Sequence, residues 1–412
     1  MGTAGRAGAA TYSDTIDAPD ARAWRGLGSG VAHTRRMRRL LPCALIALAL
    51  SSSLACATVG ATVSTIGGRL DGDTDVTSPR GVVITRSQVW TRTNVPTMNM
   101  RLGPRGSEAF APGETVTCTY LDKELSGRSP KFACAIGKDD EVKVKYGTDN
   151  GEVYGEVVAS RLLWALGFPA DGMYPVRVIC KDCPADLGGT PRPDGTTLFN
   201  PAVIERKMTG REIEPGGKPG WEWSELDLLR PNASAATRAQ RDALKLLAVF
   251  IQHTDSKAQQ QRMLCFDAGT PKEPEDCRRP VMMINDLGLT FGRATTFNNN
   301  ARGSVNLTDW STTQLWADKP GCVGNLPRSF TGTLDNPEIS EAGRAFLASL
   351  LRQLTDRQIR DLFDTARVTL RPRTPSGDSS GFPSATEWVD AFKAKRTQLI
   401  NRRCTNDVLT RN

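Results

Sequence analysis

His253-Thr254-Asp255-Ser256-Lys257 and, after an insert, Ile284-Asn285-Asp286-Leu287-Gly288 are the two stretches from which the rest of the chain is read. Ahead of the first, Ala243, Leu246, Leu247, Phe250 and Ile251 recur at helical spacing behind the capping box Thr237-Arg-Ala-Gln240. A helix therefore delivers His253 and Asp255 into the loop at its end. Residues 263–265 and 281–284 are short apolar runs around a polar insert and read as two strands, the second releasing Asp286.

Further upstream, Val142-Lys-Val-Lys-Tyr146 alternates, which places Lys143 and Lys145 on one strand face. After the turn 147–151 comes Glu152-Val-Tyr-Gly-Glu-Val-Val-Ala-Ser-Arg-Leu-Leu-Trp-Ala-Leu-Gly167, with Val153, Val157, Ala159, Leu163 and Leu166 near helical spacing and Gly167 placed to end the helix. Glu156 thus lies in a helix that directly follows a lysine-bearing strand.

Together these stretches resemble the catalytic and metal-binding loops of kinase-like phosphotransferases: His-x-Asp-x-Lys follows the order His-Arg-Asp-x-Lys, and Asp-Leu-Gly follows Asp-Phe-Gly. The pattern is most similar to the atypical branch, which includes the phosphatidylinositol 3/4-kinases, the HipA-like kinases, the spore-coat CotH kinases and secreted kinases. It spans roughly residues 143–291. The resemblance implies an α+β, bilobal protein-kinase-like fold, with a β-rich N-lobe holding one αC-like helix and a mainly α-helical C-lobe. It implies ATP with Mg or Mn as cofactors, and an acceptor bearing a hydroxyl, protein or other.

By the same resemblance Asp255 is the catalytic carboxylate and Lys257 points with it at the transferring phosphoryl group. Asp286 holds the metal. Lys145, or Lys143 in its place, holds the phosphates and pairs with Glu156. Glu205, on a strand, 201–208, that enters the hinge, is counted with the nucleotide-binding groups, and His253 and Gly288 are structural. Where protein kinases carry a metal-binding Asn, this chain has Gln260, whose amide oxygen sits one methylene further out. A glycine-rich loop and an Ala-Pro-Glu motif are both missing; Arg101-Leu-Gly-Pro-Arg-Gly106 reads as an ordinary turn rather than a phosphate-covering loop. These departures keep an alternative open, a catalytically inactive kinase-like module that acts as a cell-envelope binding protein.

The amino terminus reads as a leader. Arg35-Arg36-Met37-Arg38-Arg39, the apolar run 40–50 and the small-residue stretch Ser51-Ser52-Ser53-Leu54-Ala55-Cys56-Ala57 follow the order of a secretory signal, with Met37 as a natural start for it. Ala55-Cys56-Ala57 fits a signal-peptidase site, and Leu54-Ala55-Cys56 fits a lipoprotein box in which Cys56 is acylated. The expected division is a leader at 1–57, a flexible tether at 58–77, an N-lobe at 78–215 and a C-lobe at 216–412. The expected location is periplasm or cell envelope, with any membrane contact made through the lipid.

Cysteine use agrees with export. Beyond Cys43 and Cys56 an even set of eight remains, and spacing suggests Cys118–Cys134, Cys180–Cys183, Cys265–Cys277 and Cys322–Cys404. A zinc site at Cys180-Lys-Asp-Cys183 would need partners that the chain lacks, since His253 is its one histidine outside the leader. The formal charge of +8 is half leader, where seven Arg face three Asp. Without Lys/Arg runs beside aromatics, the remainder gives no footprint for nucleic acid.

Other runs complete the expectation. Strands are expected at 81–88, 115–120, 131–136 and 173–180, and helices at 340–354, 355–367 and 386–403. Residues 290–322 read as an activation or substrate loop.

Overall fold

The computed structural model describes residues 75–404 apart from 107, 229–235, 270–271, 294–303 and 376–380. The leader, Cys56 and most of the tether lie outside the described residues.

The larger sheet is built from residues 115–206 and most of the helices follow it in the chain, so the class is α+β. Strands β1 (Thr115–Leu121), β2 (Lys131–Gly137), β3 (Asp140–Tyr146), β4 (Gly172–Lys181), β5 (Thr190–Pro191) and β6 (Thr197–Arg206) form one sheet. β1 pairs with β2 and β2 with β3 as antiparallel neighbours, β1 runs parallel to β4, and β4 pairs with β6. β3 also pairs with β6, Val144 opposite Ile204, and this last ladder closes five strands into a barrel with β5 appended. The β-rich part expected from the resemblance is thus a closed five-stranded barrel. The cause is alternation: Val142 and Val144, with Val116, Phe132, Val176, Val178, Phe199 and Ile204, fill an apolar interior, and a ring of strands buries it with no free edge.

That same alternation turns Lys143 and Lys145 outward, onto the face where helix α2 (Glu152–Leu166) lies. α2 is buried almost all round and shares one continuous apolar core with the carboxy-terminal helices rather than with the barrel interior. Its carboxy terminus is the Gly167 left-handed cap, φ 88°. A side chain there would sit 2.1 Å from the Thr91 carbonyl, so glycine is required by space as well as by φ. Thr91 N–H, the Trp90 indole and the Thr93 hydroxyl donate to the last carbonyls of α2, those of Gly167, Leu166 and Ala165. The helix end is thus satisfied by a crossing segment, and α2 is held rigidly.

Residues 81–88, expected as a strand, are mostly helix α1 (Pro79–Arg86). Ser78 caps it by accepting from Gly81 N–H, and Pro79 occupies the first turn. Val83, Ile84, Arg80 and Thr85 are all buried, so the run shows no one-sided period by which a helix is recognised. Arg80 is anchored by a two-pronged ion pair with buried Glu225.

β7 (Arg211–Glu212), β8 (Gln261–Cys265) and β9 (Pro280–Ile284) form a small second sheet. Helix α3 (Arg238–Phe250) opens with the expected capping box, and α4 (Leu307–Thr312), α5 (Glu341–Leu351), α6 (Asp356–Thr365) and α7 (Ala385–Asn401) share one apolar core with it. α5, α6 and α7 begin after Ser340, Thr355 and Ser384, each accepting an N–H from the first turn. All four expected disulfides are present, with Cα separations of 5.2–5.9 Å. Cys118–Cys134 lies in the barrel core and Cys322–Cys404 ties a long loop to the end of α7.

Candidate active site

α3 ends at Phe250, and Gln252 takes a positive φ of 50° that turns the chain into the Asp255 loop. β9 releases Asp286 beside it. The two loops are zipped together: Thr254 N–H and hydroxyl donate to Leu289 O, Phe291 N–H donates to Ile251 O, and Asn285 N–H donates to Gln260 O. Consequently Asp255 and Asp286 line one cleft of about 980 Å³, with Lys257, Gln260, Lys131 and Glu152.

Asp255 Oδ2 accepts from Lys257 Nζ at 3.1 Å and from Gln260 Nε2 at 2.7 Å, while its buried Oδ1 has no hydrogen-bond partner. Gln260 thus turns its NH₂ to Asp255 instead of presenting only an oxygen. Asp286 is half-buried on the cleft wall. Burial works to raise its pKa, but Lys145, the Gly288 N–H at 3.0 Å and Lys143 outweigh that and hold it below the usual carboxylate range. Gly288 has no room for a side chain, because a Cβ would lie 2.4 Å from Glu152 Cγ.

Lys145, 2 % exposed, forms ion pairs with Glu156 and with Glu152, the latter at 2.8 Å. Burial opposes its charge, yet Asp286, Glu152, Glu156 and Glu205 hold its pKa well above the ordinary lysine value. Burial pushes the Glu156 carboxyl up, with Lys145 pulling against it. The strand-lysine to helix-glutamate pair expected for Lys145 and Glu156 is therefore present. Lys143 and Glu205 face each other across β3 and β6 at 2.5 Å beside that pair, and like Lys145 they do not line the cleft wall. The turn at 101–106 lies away from this cleft, lining a separate pocket near Trp164 and Tyr174.

His253 is wholly buried near Trp223, and neither ring nitrogen has a hydrogen-bond partner. Burial lowers its pKa to about 4, against the opposing pull of Asp255 and Asp286. An unfolded chain protonates this imidazole near 6.5, so the stability due to neutral His253 is full above that pH and is lost as pH falls toward 4. Relative to a His253→Gln variant, the native chain should lose about 3 kcal/mol between pH 7 and pH 4, measured by urea unfolding at both. Asp171, raised to about 7 by burial against the pull of Arg262, drifts the opposite way but is common to both chains. A pH-independent difference would mean that His253 is not a neutral buried ring.

Four parts of the site were not singled out in the sequence. Glu152 is one helical turn before Glu156, and that i, i+4 spacing was the available signal. Lys131 stands directly opposite Lys145 in the β2–β3 ladder. Burial pushes its pKa down, with Glu152 opposing. The connection between β1 and β2, residues 126–130, lines the cleft although it is no glycine-rich motif. Opposite it, residues 329–334 are fastened to the Asp255 loop: Ser256 Oγ accepts from Thr333 and Leu334 N–H, and Ser329 donates to Thr254 O. That segment sets Phe330, 71 % exposed, on the rim.

No protein-family model matches this chain, and no curated protein matches it. Among solved structures it is similar to the crystal structure of a Helicobacter pylori proinflammatory kinase CtkA. The match covers 70 % of this chain and 96 % of that one, at 11 % identity and a TM-score of 0.38. A likeness of that level decides nothing about activity.

Proposed function

We propose that this is an exported kinase-like phosphotransferase, built on a bilobal protein-kinase-like plan, that moves the ATP γ-phosphate to a protein or other hydroxyl acceptor. The observation that carries the reading is the convergence of Asp255 and Asp286, 31 positions apart in the chain, on one cleft next to the Lys145–Glu156 pair. Phosphoryl transfer is mostly positioning and charge neutralisation, and it needs these three groups.

Asp255 accepts the proton of the acceptor hydroxyl, and Lys257, held against it, faces the phosphoryl group being transferred. The donors present fit a hard divalent cation such as Mg or Mn: Asp286 is ionised, and the buried side-chain oxygen of neighbouring Asn285 has no hydrogen-bond partner. Asp286 would hold that cation, with Gln260 beside it, and the cation's chemistry would be to neutralise phosphate charge. Four disulfides fit an oxidising compartment, and no described helix is long and apolar enough to cross a membrane. Export, and the lipid anchor at Cys56, are part of the proposal.

The second reading is an inactive kinase-like module of the cell envelope, favoured by Gln260 facing Asp255. The test is thermal unfolding of the oxidised protein with ATP, with and without Mg or Mn. A bound nucleotide at a hundred times its Kd should stabilise by about 2.7 kcal/mol, only with the cation, and Asp286→Ala should abolish the effect. No stabilisation by any nucleotide leaves the inactive module.

A further inference from the structure

Lys145 is not on the cleft wall, whereas Glu152 and Asp286 are. Two carboxylates already hold the ammonium, so an anion arriving through the cleft competes with them for it. Glu156 is as deeply buried as Lys145 and is sealed in α2. Glu152, 12 % exposed and at the first turn of α2, is the one with somewhere to go.

Glu152 also does something else with the same atom. Its Oε2 lies 2.8 Å from Lys145 Nζ and accepts the Ser129 hydroxyl at 2.8 Å. Ser129 belongs to the β1–β2 connection that forms one wall of the cleft. One oxygen therefore holds both the charge that attracts phosphate and that wall. Its side chain lies against Gly288, so it also touches the loop that carries Asp286.

We propose that Glu152 is a latch: its carboxylate ties the β1–β2 connection to Lys145 and yields Lys145 to a nucleotide phosphate, so that phosphate binding and release of that connection are one event. The incoming phosphate rests on the nucleotide reading above; the latch itself does not. A purely supporting Glu152 predicts the opposite sign, because removing a support weakens nucleotide binding. Removing a competitor strengthens it.

The experiment uses the full oxidised protein and two readouts, hydrogen–deuterium exchange at residues 122–130 without nucleotide and Mg-ATP affinity by calorimetry. Glu152→Ala should raise exchange there and tighten ATP about tenfold, the worth of one charge-assisted bond. Ser129→Ala should raise exchange in the same segment. Glu152→Gln, which keeps an acceptor for Ser129 and guards against a misfolded alanine variant, should tighten ATP with exchange near that of the native chain. Unchanged exchange in both alanine variants, or ATP affinity unchanged or weaker in Glu152→Ala, overturns the proposal. If ATP binds none of the chains, the nucleotide reading and the yielding step fall together, and exchange alone decides whether the latch exists.

Discussion

Asp255→Ala should lower phosphoryl transfer by about 10²–10⁴-fold, the range for loss of a general base, while Mg-ATP affinity stays within about twofold. The split follows from the geometry. Asp255 contacts Lys257 and Gln260, whereas Lys145, Glu156 and Asp286 form a separate cluster that the substitution leaves intact. Asp255→Asn keeps an acceptor for Lys257 but not the basicity, so it should be nearly as slow. Single-turnover transfer of labelled phosphate, with binding measured in parallel, reads both quantities. Transfer at the native rate in either variant removes Asp255 from the chemistry.

Lys145→Met should destabilise the fold by about 3–5 kcal/mol, because it leaves the buried Glu156 without its cation. Against a typical total of about 5–15 kcal/mol that is a large fraction. The double variant Lys145→Met with Glu156→Leu removes both charges and should recover most of the loss, since an apolar pair of similar volume is often as stable as a buried ion pair. Nucleotide binding should not return with it. Urea unfolding of the three chains checks the first expectation and calorimetry the second. A double variant no more stable than the single one would show that the pair's environment, Glu152 and Asp286 included, cannot be replaced by packing.

Much of the site was legible because its parts are local. The Asp255 and Asp286 loops follow elements with clear boundaries, the helical spacing from Glu152 to Gly167 identifies α2, and the Val–Lys alternation of β3 identifies which side chains are buried inside the barrel. The four cysteine pairs were legible for a related reason: three join residues 3 to 16 positions apart, and the fourth took what remained. What failed did so where burial hides the pattern. α1 is packed from all sides, so its Val-Val-Ile-Thr run reads as β-branched strand. That Glu205 meets Lys143 was not legible either, because ladder register between strands far apart in the chain makes that choice.

By itself the amino-acid order determined the element types around the site, the two acidic loops, the lysine and glutamate that meet, and the disulfide framework, because each is written in spacings of a few residues. Tertiary structure alone decided that β3 and β6 close a barrel, that α2 joins the helical core, that residues 329–334 brace the Asp255 loop, and that Glu152 reaches Lys145 and Ser129 through one oxygen. Those are contacts between segments distant in sequence, and no local period records which distant partner a side chain will meet.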